Sequence, residues 1–319
     1  MLLIAVVIAS AVLTLLMRQA ALKHALLDMP NERSSHTVAT PRGGGLAIMV
    51  TFFAAISYLF FTEQLSSTLF GALFAALPLV AVSLLDDIRP QSARFRFIVQ
   101  FLCALLALTA LGGVSTVNLG FIELHGFWLN ILALLLLLWF TNLFNFLDGI
   151  DGYAASETIF VALGAYLLFG TTPILLLAAA TAGFLLFNWH KASIFMGDVG
   201  SAPIGFVIAV FALNDSANEH FLGWIVLVSL FLFDATITLL RRLRNKERIW
   251  TAHKKHMYQR LHQWGLSHSE VVLLLMRYNA VILLLLWLVN AHYYGIVFLI
   301  AGLLFAIILN IIDRKKAFT

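Results

Sequence analysis

Long apolar runs broken by short polar stretches recur along the whole of this 319-residue chain. Each run has roughly the ~20 residues that a helix needs to cross a bilayer. The runs place helices at about 1–20, 44–62, 67–85, 97–113, 127–144, 154–170, 173–189, 201–213, 221–240, 271–289 and 294–312. The pattern predicts an all-α integral membrane protein, a polytopic helical bundle of about eleven transmembrane helices. No polar stretch is long enough for a separate soluble domain, so residues 1–319 are expected to form one unit. No internal repeat of the transporter kind is visible.

Composition agrees. Hydrophobic residues make up 61% of the chain and charged residues 11%, against roughly 25% charged in soluble domains. Cys103 lies inside an apolar run and reads as a buried structural thiol; a single cysteine forms no intramolecular disulfide. The opening run has no positive n-region and no small-residue cleavage site, so it reads as a retained helix.

Charge adds a direction. The connections at 62–66, 114–126, 170–172, 214–220 and 290–293 hold no Lys or Arg, whereas the alternate connections hold nearly all of them. The positive-inside rule makes the second set cytoplasmic. An odd number of crossings then puts the N-terminus in the periplasm and the C-terminus in the cytoplasm.

The unusual polar chemistry gathers in that second set, in loops 23–45, 86–96, 142–152, 188–202 and 241–270. Asp86 and Asp87 are adjacent carboxylates at a helix end, where repulsion raises one pKa. A solvated helix terminus explains a bare pair more often than a site does. Arg94 and Arg96 follow at headgroup depth and suit a lipid phosphate. Asn142, Asn145, Asp148 and Asp151 recur at three-residue spacing and, on a continuous helix, share one broad face. Hard oxygen ligands of this kind suit Mg²⁺, which binds through one or two protein groups plus phosphate oxygens. A helix cap followed by an ordinary loop accounts for one Asn and a glycine, not for four polar groups.

Asp198 stands between glycines before a helix expected near Ser201, which suits Mg²⁺ with phosphate, or simply an N-cap. His253 and His256 sit three apart in a basic segment and would share a helix face, placed to bind a diphosphate or donate protons. No cysteine or HExxH pattern supports zinc there. His36 and Arg42, with the glycines that follow, suit an anion-binding turn but lack a P-loop pattern. Asp234 is an intramembrane carboxylate, and such groups are functional by default. A secondary transporter working through Asp234 is the alternative reading.

Four of these segments, in order, resemble the polyprenyl-phosphate N-acetylhexosamine-1-phosphate transferases. "DDIRPQSARFRFIVQ" looks like the family's aspartate-pair loop, and "NLFNFLDGIDG" is close to N-x-x-N-x-x-D-G-x-D-G. "FNWHKASIFMGDVGS" matches the F-x-G-D-x-G-S loop with its preceding Asn, and "HKKHMYQRL" is similar to the histidine motif. The resemblance implies transfer of a sugar 1-phosphate from a UDP-N-acetylhexosamine to undecaprenyl phosphate, with UMP released. It implies Asn145 and Asp198 as ligands of Mg²⁺, for which Mn²⁺ can substitute. Asp148 and Asp151, with Asn142, would lie at the nucleotide-sugar site, and Asn188, Phe195 and Gly197 would border the nucleoside. His253 and His256 would contact sugar or diphosphate; Asp86 and Asp87 would face the lipid phosphate.

Pro90 stands where the muramyl-pentapeptide subgroup has a lysine, and His253 and His256 are not adjacent as that subgroup's histidines are. "DMPNERSSHTVATPRGGG" looks like the subgroup that initiates O-antigen and other surface polysaccharides. Donors of the UDP-GlcNAc, UDP-FucNAc or UDP-QuiNAc type are then expected. The expected setting is the bacterial inner membrane, with the site on its cytoplasmic face. Membrane lipid is an expected partner, nucleic acid is not, and a homodimer is left open.

Overall fold

A computed structural model describes residues 1–24, 26–30, 38–248, 251 and 253–318. It is helical almost throughout. α1 (Leu2–Lys23) leads into a two-residue strand, β1 (Leu27–Asp28), which pairs antiparallel with β2 (Thr40–Pro41). Then come α2 (Gly45–Phe61), α3 (Ser67–Phe74), α4 (Leu77–Ile88) and α5 (Ala93–Ala110). A hairpin of β3 (Thr116–Asn118) and β4 (Glu123–His125) precedes α6 (Leu129–Phe146), α7 (Tyr153–Phe169) and α8 (Leu175–Asn188). The chain continues through α9 (Asp198–Asn214), α10 (Phe221–Leu227), α11 (Ser229–Arg244), α12 (Met257–Gln263), α13 (His268–Leu288) and α14 (Tyr294–Lys315).

Hydrophobic character decides each helix's place. α9 is apolar on every side, and every residue from Val199 to Leu213 is buried. A helix hydrophobic all round belongs in the core, and α9 forms the axis of the bundle. It lies against α6 and α4, and meets α2 where Gly45 and Gly200 bring two backbones into contact with no side chain between. Small residues at such crossings let membrane helices approach closely. α1, α5 and α14 form the perimeter, with only 17%, 22% and 22% of their apolar spans buried. Their exposed side chains include Ile4, Ile8, Leu102, Leu106, Leu299 and Leu303. Apolar surface of that extent faces lipid, not water.

Six helices among the described residues are long and apolar enough to cross a membrane. A seventh crossing follows if α10 and α11, bent by 68° at their junction, count as one span. α2, α7, α9 and the stretch Thr172–Asn188 are apolar but shorter. The sequence pattern also smoothed over local breaks. The run at 67–85 is two helices, the second opening with proline in its first turn. α5 begins at Ala93, not 97, because the Ser92 hydroxyl accepts the Phe95 N–H at 3.2 Å and caps it. α12 was not among the expected spans, and the helix expected to carry His253 and His256 starts only after them.

The two sets of connections separate. Loops around 42, 87, 151, 190, 198 and 256 touch one another at one end of the bundle. The β3–β4 hairpin, the α9–α10 connection and the α13–α14 connection gather at the other, where Asn118 N–H reaches Ser216 O and Gly120 abuts Ala291.

At the polar end the C-terminal segment is clamped. Arg241 binds both oxygens of Asp313 at 3.1 and 2.9 Å, Arg260 reaches the same carboxylate at 2.5 Å, and Arg260 also donates to Lys316 O. The Phe318 ring lies under Arg241, Lys255 and Arg260.

Candidate active site

The site is built on the N-terminus of α9. No side chain of its own caps this helix. Asp87, from the end of α4, does so instead: its Oδ1 accepts the Asp198 N–H and its Oδ2 the Val199 N–H, both at 3.1 Å. A carboxylate there satisfies the first orphan donors of the helix and meets the positive end of its dipole. Gly197, at φ +75°, makes this contact possible, since a Cβ would sit 2.5 Å from Asp87 Oδ2. Arg42 donates to the Asp87 carbonyl and ties the β2 segment to the same corner.

Asp86, one position earlier, meets the side chain of Asp198 instead of its backbone. Its Oδ1 accepts the Gln91 N–H at 2.6 Å, while Oδ2 pairs with Arg96 Nη1 at 2.6 Å. The same Nη1 lies 2.7 Å from Asp198 Oδ2. One guanidinium nitrogen thus bridges two carboxylates. Asn145 stands beside them, donating to Ser201 Oγ at 3.2 Å. Hard oxygen donors surround a point already occupied by positive charge, and that donor set fits a magnesium ion.

Asn142 and Asn145 belong to α6, which stops at Phe146. Asp148 and Asp151 therefore lie in the following turn, and the four do not share one helical face as the spacing suggested. Gly149 sets the turn against α12: the Tyr258 hydroxyl fills the place of its Cβ and donates to Phe146 O at 3.2 Å. Burial, with the charges of Asp198, Asp87 and Asp151 nearby, holds the Asp148 carboxyl well above its ordinary range.

Asp151 is 7% exposed, and its Oδ2 meets His190 Nδ1 at 2.9 Å, His268 Nδ1 at 3.1 Å and the Ala192 N–H at 3.2 Å. Burial alone would raise its pKa, but the hydrogen bonds from His268 and His190 bring it below the usual carboxylate value. These three side chains are close enough to share a metal ion, and among the described residues no other set of three or more His, Cys, Asp or Glu is. The hydrogen bonds already satisfy the carboxylate without one. Asn188 completes the clasp, accepting the Gly152 N–H and donating to Ile194 O, both at 3.0 Å.

The histidines are not on one helical face either. His253 precedes α12, and His256 is its N-cap. Their rings still meet, centroids 4.8 Å apart, because the chain turns between them. Burial, then the His256 and Arg242 charges, push the His253 imidazole down to about 3. Arg242, 2% exposed, pairs with Glu247 at 3.1 Å and donates to Arg248 O and Thr251 O, folding the basic loop back onto α11.

A cavity of about 990 Å³ opens between these elements. Arg94, Arg96, Asn142, Asn145, Asp198, His253 and His256 line it, together with the apolar Leu79, Val82, Phe97 and Phe146. Asp87, Asp148, Asp151, Asn188, Phe195 and Gly197 stand behind that lining. The turn after Arg42 does not offer its amides to an anion: Gly44 and Gly45 donate to Phe195 O and Met196 O at 2.9 and 2.8 Å. His36 lies outside the described residues. Arg242 and Gln259, which also line the cavity, were not singled out from the sequence, nor was the bridging role of Arg96. Arg96 and Gln100, four apart on one face of a largely apolar helix, are the signal that marks Arg96.

Residues 69–215 match the family model described as glycosyl transferase family 4. A probable undecaprenyl-phosphate N-acetylglucosaminyl 1-phosphate transferase of Bacillus subtilis is 29% identical over 83% of this chain and 77% of its own length. A decaprenyl-phosphate N-acetylglucosaminephosphotransferase of Mycobacterium leprae is 30% identical over 77% of this chain and 72% of its own. An undecaprenyl-phosphate alpha-N-acetylglucosaminyl 1-phosphate transferase of Thermotoga maritima is 30% identical over 79% and 78%. With its motifs folded into one cavity at the head of α9, the chain belongs to the polyprenyl-phosphate hexosamine-1-phosphate transferases of glycosyl transferase family 4.

Proposed function

We propose that the protein transfers an N-acetylhexosamine 1-phosphate from a UDP-sugar to undecaprenyl phosphate at the cytoplasmic face of a bacterial inner membrane. The product begins an O-antigen or related surface polysaccharide, with UDP-GlcNAc, UDP-FucNAc or UDP-QuiNAc as donor. In this reading the shorter apolar helices also cross the bilayer, making eleven passages with the N-terminus periplasmic and the C-terminus cytoplasmic. The observation that carries the proposal is the cavity itself, whose lining combines cations and hard oxygen donors with apolar residues. A nucleotide diphosphate and a lipid phosphate need both.

The reaction joins two anions, so charge is the main obstacle. A divalent cation, Mg²⁺ or Mn²⁺, held by Asn145 and Asp198 would neutralise the donor diphosphate. Arg96 and Arg94 are placed to receive the lipid phosphate beside Asp86. An oxygen of that phosphate attacks the sugar-proximal phosphorus, and the bond to the UMP oxygen breaks, with UMP leaving as the anion. No proton need move, because the nucleophile is already ionised. Asp87 then acts as an orienter, since both its oxygens hold the start of α9. Asp148 and Asp151 shape the nucleotide side of the site through the turn they occupy, and Asn188, Phe195 and Gly197 border it.

The test is UMP release by purified protein with undecaprenyl phosphate, Mg²⁺ and a panel of UDP-N-acetylhexosamines, beside Asp198→Asn and an EDTA control. Release with one donor, abolished in both controls, establishes the reaction and names the sugar. Folded protein that releases UMP with none of them rejects it.

A further inference from the structure

Asp234 sits on α11 with 1% exposure, and nothing in the reaction described above uses it. Its Oδ1 accepts the Met257 N–H at 2.8 Å and the Thr238 hydroxyl at 3.2 Å, and lies 3.4 Å from His256 Nδ1. Its Oδ2 is buried with no hydrogen-bond partner. A buried carboxylate so placed requires a nearby positive charge. His256, itself 4% exposed, is the titratable group against it.

The histidine is held on every side. Its ring is near parallel to those of Phe146 and Tyr258, at centroid distances of 6.4 and 5.9 Å, with the His253 ring closer at 4.8 Å. Its backbone N–H donates to Gln259 Oε1 at 3.3 Å at the start of α12. The Met257 N–H bond fixes the next residue to the same carboxylate. His256 lines the cavity, and with Nδ1 turned to Asp234, Nε2 is the nitrogen left for it.

We propose that Asp234 is a positioning residue of the transfer reaction: it anchors the head of α12 and backs His256 so that the imidazole presents Nε2 to the donor diphosphate. The ring then stands between the donor diphosphate and Asp234, and the carboxylate fixes its orientation. Hydrogen bonds of this kind are long before substrate binds and tighten on it. The inference rests on the reaction proposed above and extends it to a carboxylate that a transport reading would assign to a translocated proton.

The experiment is a double-mutant cycle on UMP release, with Asp234→Asn, His256→Gln and the pair. Asn keeps the shape and an oxygen for the Met257 N–H but removes the charge. Asp234→Asn is expected to lower kcat about 10- to 100-fold, as loss of a group backing a functional histidine does, with donor KM changed by less than about threefold. In the His256→Gln background the same change should cost less than about threefold, because the group that it serves is gone. Thermal unfolding gives a second readout that needs no turnover. His256→Gln removes the ring that faces the buried Asp234 carboxylate and lowers Tm, and adding Asp234→Asn restores it because a neutral amide costs less to bury.

Equal losses in both backgrounds, or a Tm that falls further in the double variant, overturn the proposal and leave Asp234 a structural cap. Unaltered protein that releases no UMP with any donor overturns the reaction and this role together, so the two failures are told apart.

Discussion

Asp86 and Asp87 are neighbours in the chain and do opposite work. Asp87, with Asp151, forms a rear tier: each is 7% exposed and each receives backbone N–H groups. Asp86, with Asp198, forms a front tier in which both carboxylates meet Arg96. Residue type does not separate the tiers, nor does a backbone donor alone, since Asp86 also accepts the Gln91 N–H; contact with Arg96 does. A carboxylate saturated by N–H groups is fixed in place and its charge is already answered. One that faces a partly exposed guanidinium can exchange that cation for another, freeing the arginine for an anion.

Substitution can break this contrast or sharpen it. The largest effect should come from Asp198→Asn, which is expected to lower kcat by about a thousandfold or more with Tm within a few degrees of the unaltered protein, as loss of a metal-binding group does. A large Tm loss instead would move Asp198 to the rear tier. Asp151→Ala should do the reverse. It leaves His190, His268 and the Ala192 N–H without their acceptor, and denaturant unfolding in detergent should show a loss of about 3 kcal/mol.

Asp148→Asn should raise Tm by a few degrees in EDTA at pH 8. Its folded-state pKa lies above the ~3.9 of an unfolded chain, so the stability linked to it is full at low pH and is lost as pH rises toward the raised value. The amide removes that penalty, and a lowered Tm would show that its charge is answered after all. The smallest effect concerns His253, whose pKa is pushed down to about 3. The unfolded chain then binds the extra proton between about 3 and the ordinary value near 6.5, so the fold loses stability as pH drops through that window. His253→Phe should flatten the acid side of a Tm–pH curve, and an unchanged curve would place a charged imidazole there.

Much of this was legible in the chain. Apolar runs gave the helices, and the alternating basic connections gave the two ends of the bundle, because both signals are local sums over many residues. The motifs also named Asn145, Asp198, His253 and His256 before any of them was seen to share a cavity. What was not legible depends on contacts distant in sequence. The spacing of Asn142, Asn145, Asp148 and Asp151 implied one helix face, but the Tyr258 hydroxyl occupies the space over Gly149 and the helix ends three residues earlier. Asp87 caps a helix 111 positions away, and Asp234 meets a histidine 22 positions on. The bend between α10 and α11 has no proline to announce it.

The clamp on the C-terminal segment has a practical side. Arg260 belongs to the short helix that His256 opens, and it grips both Asp313 and the Lys316 carbonyl. A purification tag, fluorescent fusion or surface tether joined just past Phe318 therefore pulls on the same seven-residue lever that carries the histidine. Handles for this enzyme belong at the other terminus, and activity lost on C-terminal fusion should be blamed on the handle before the protein.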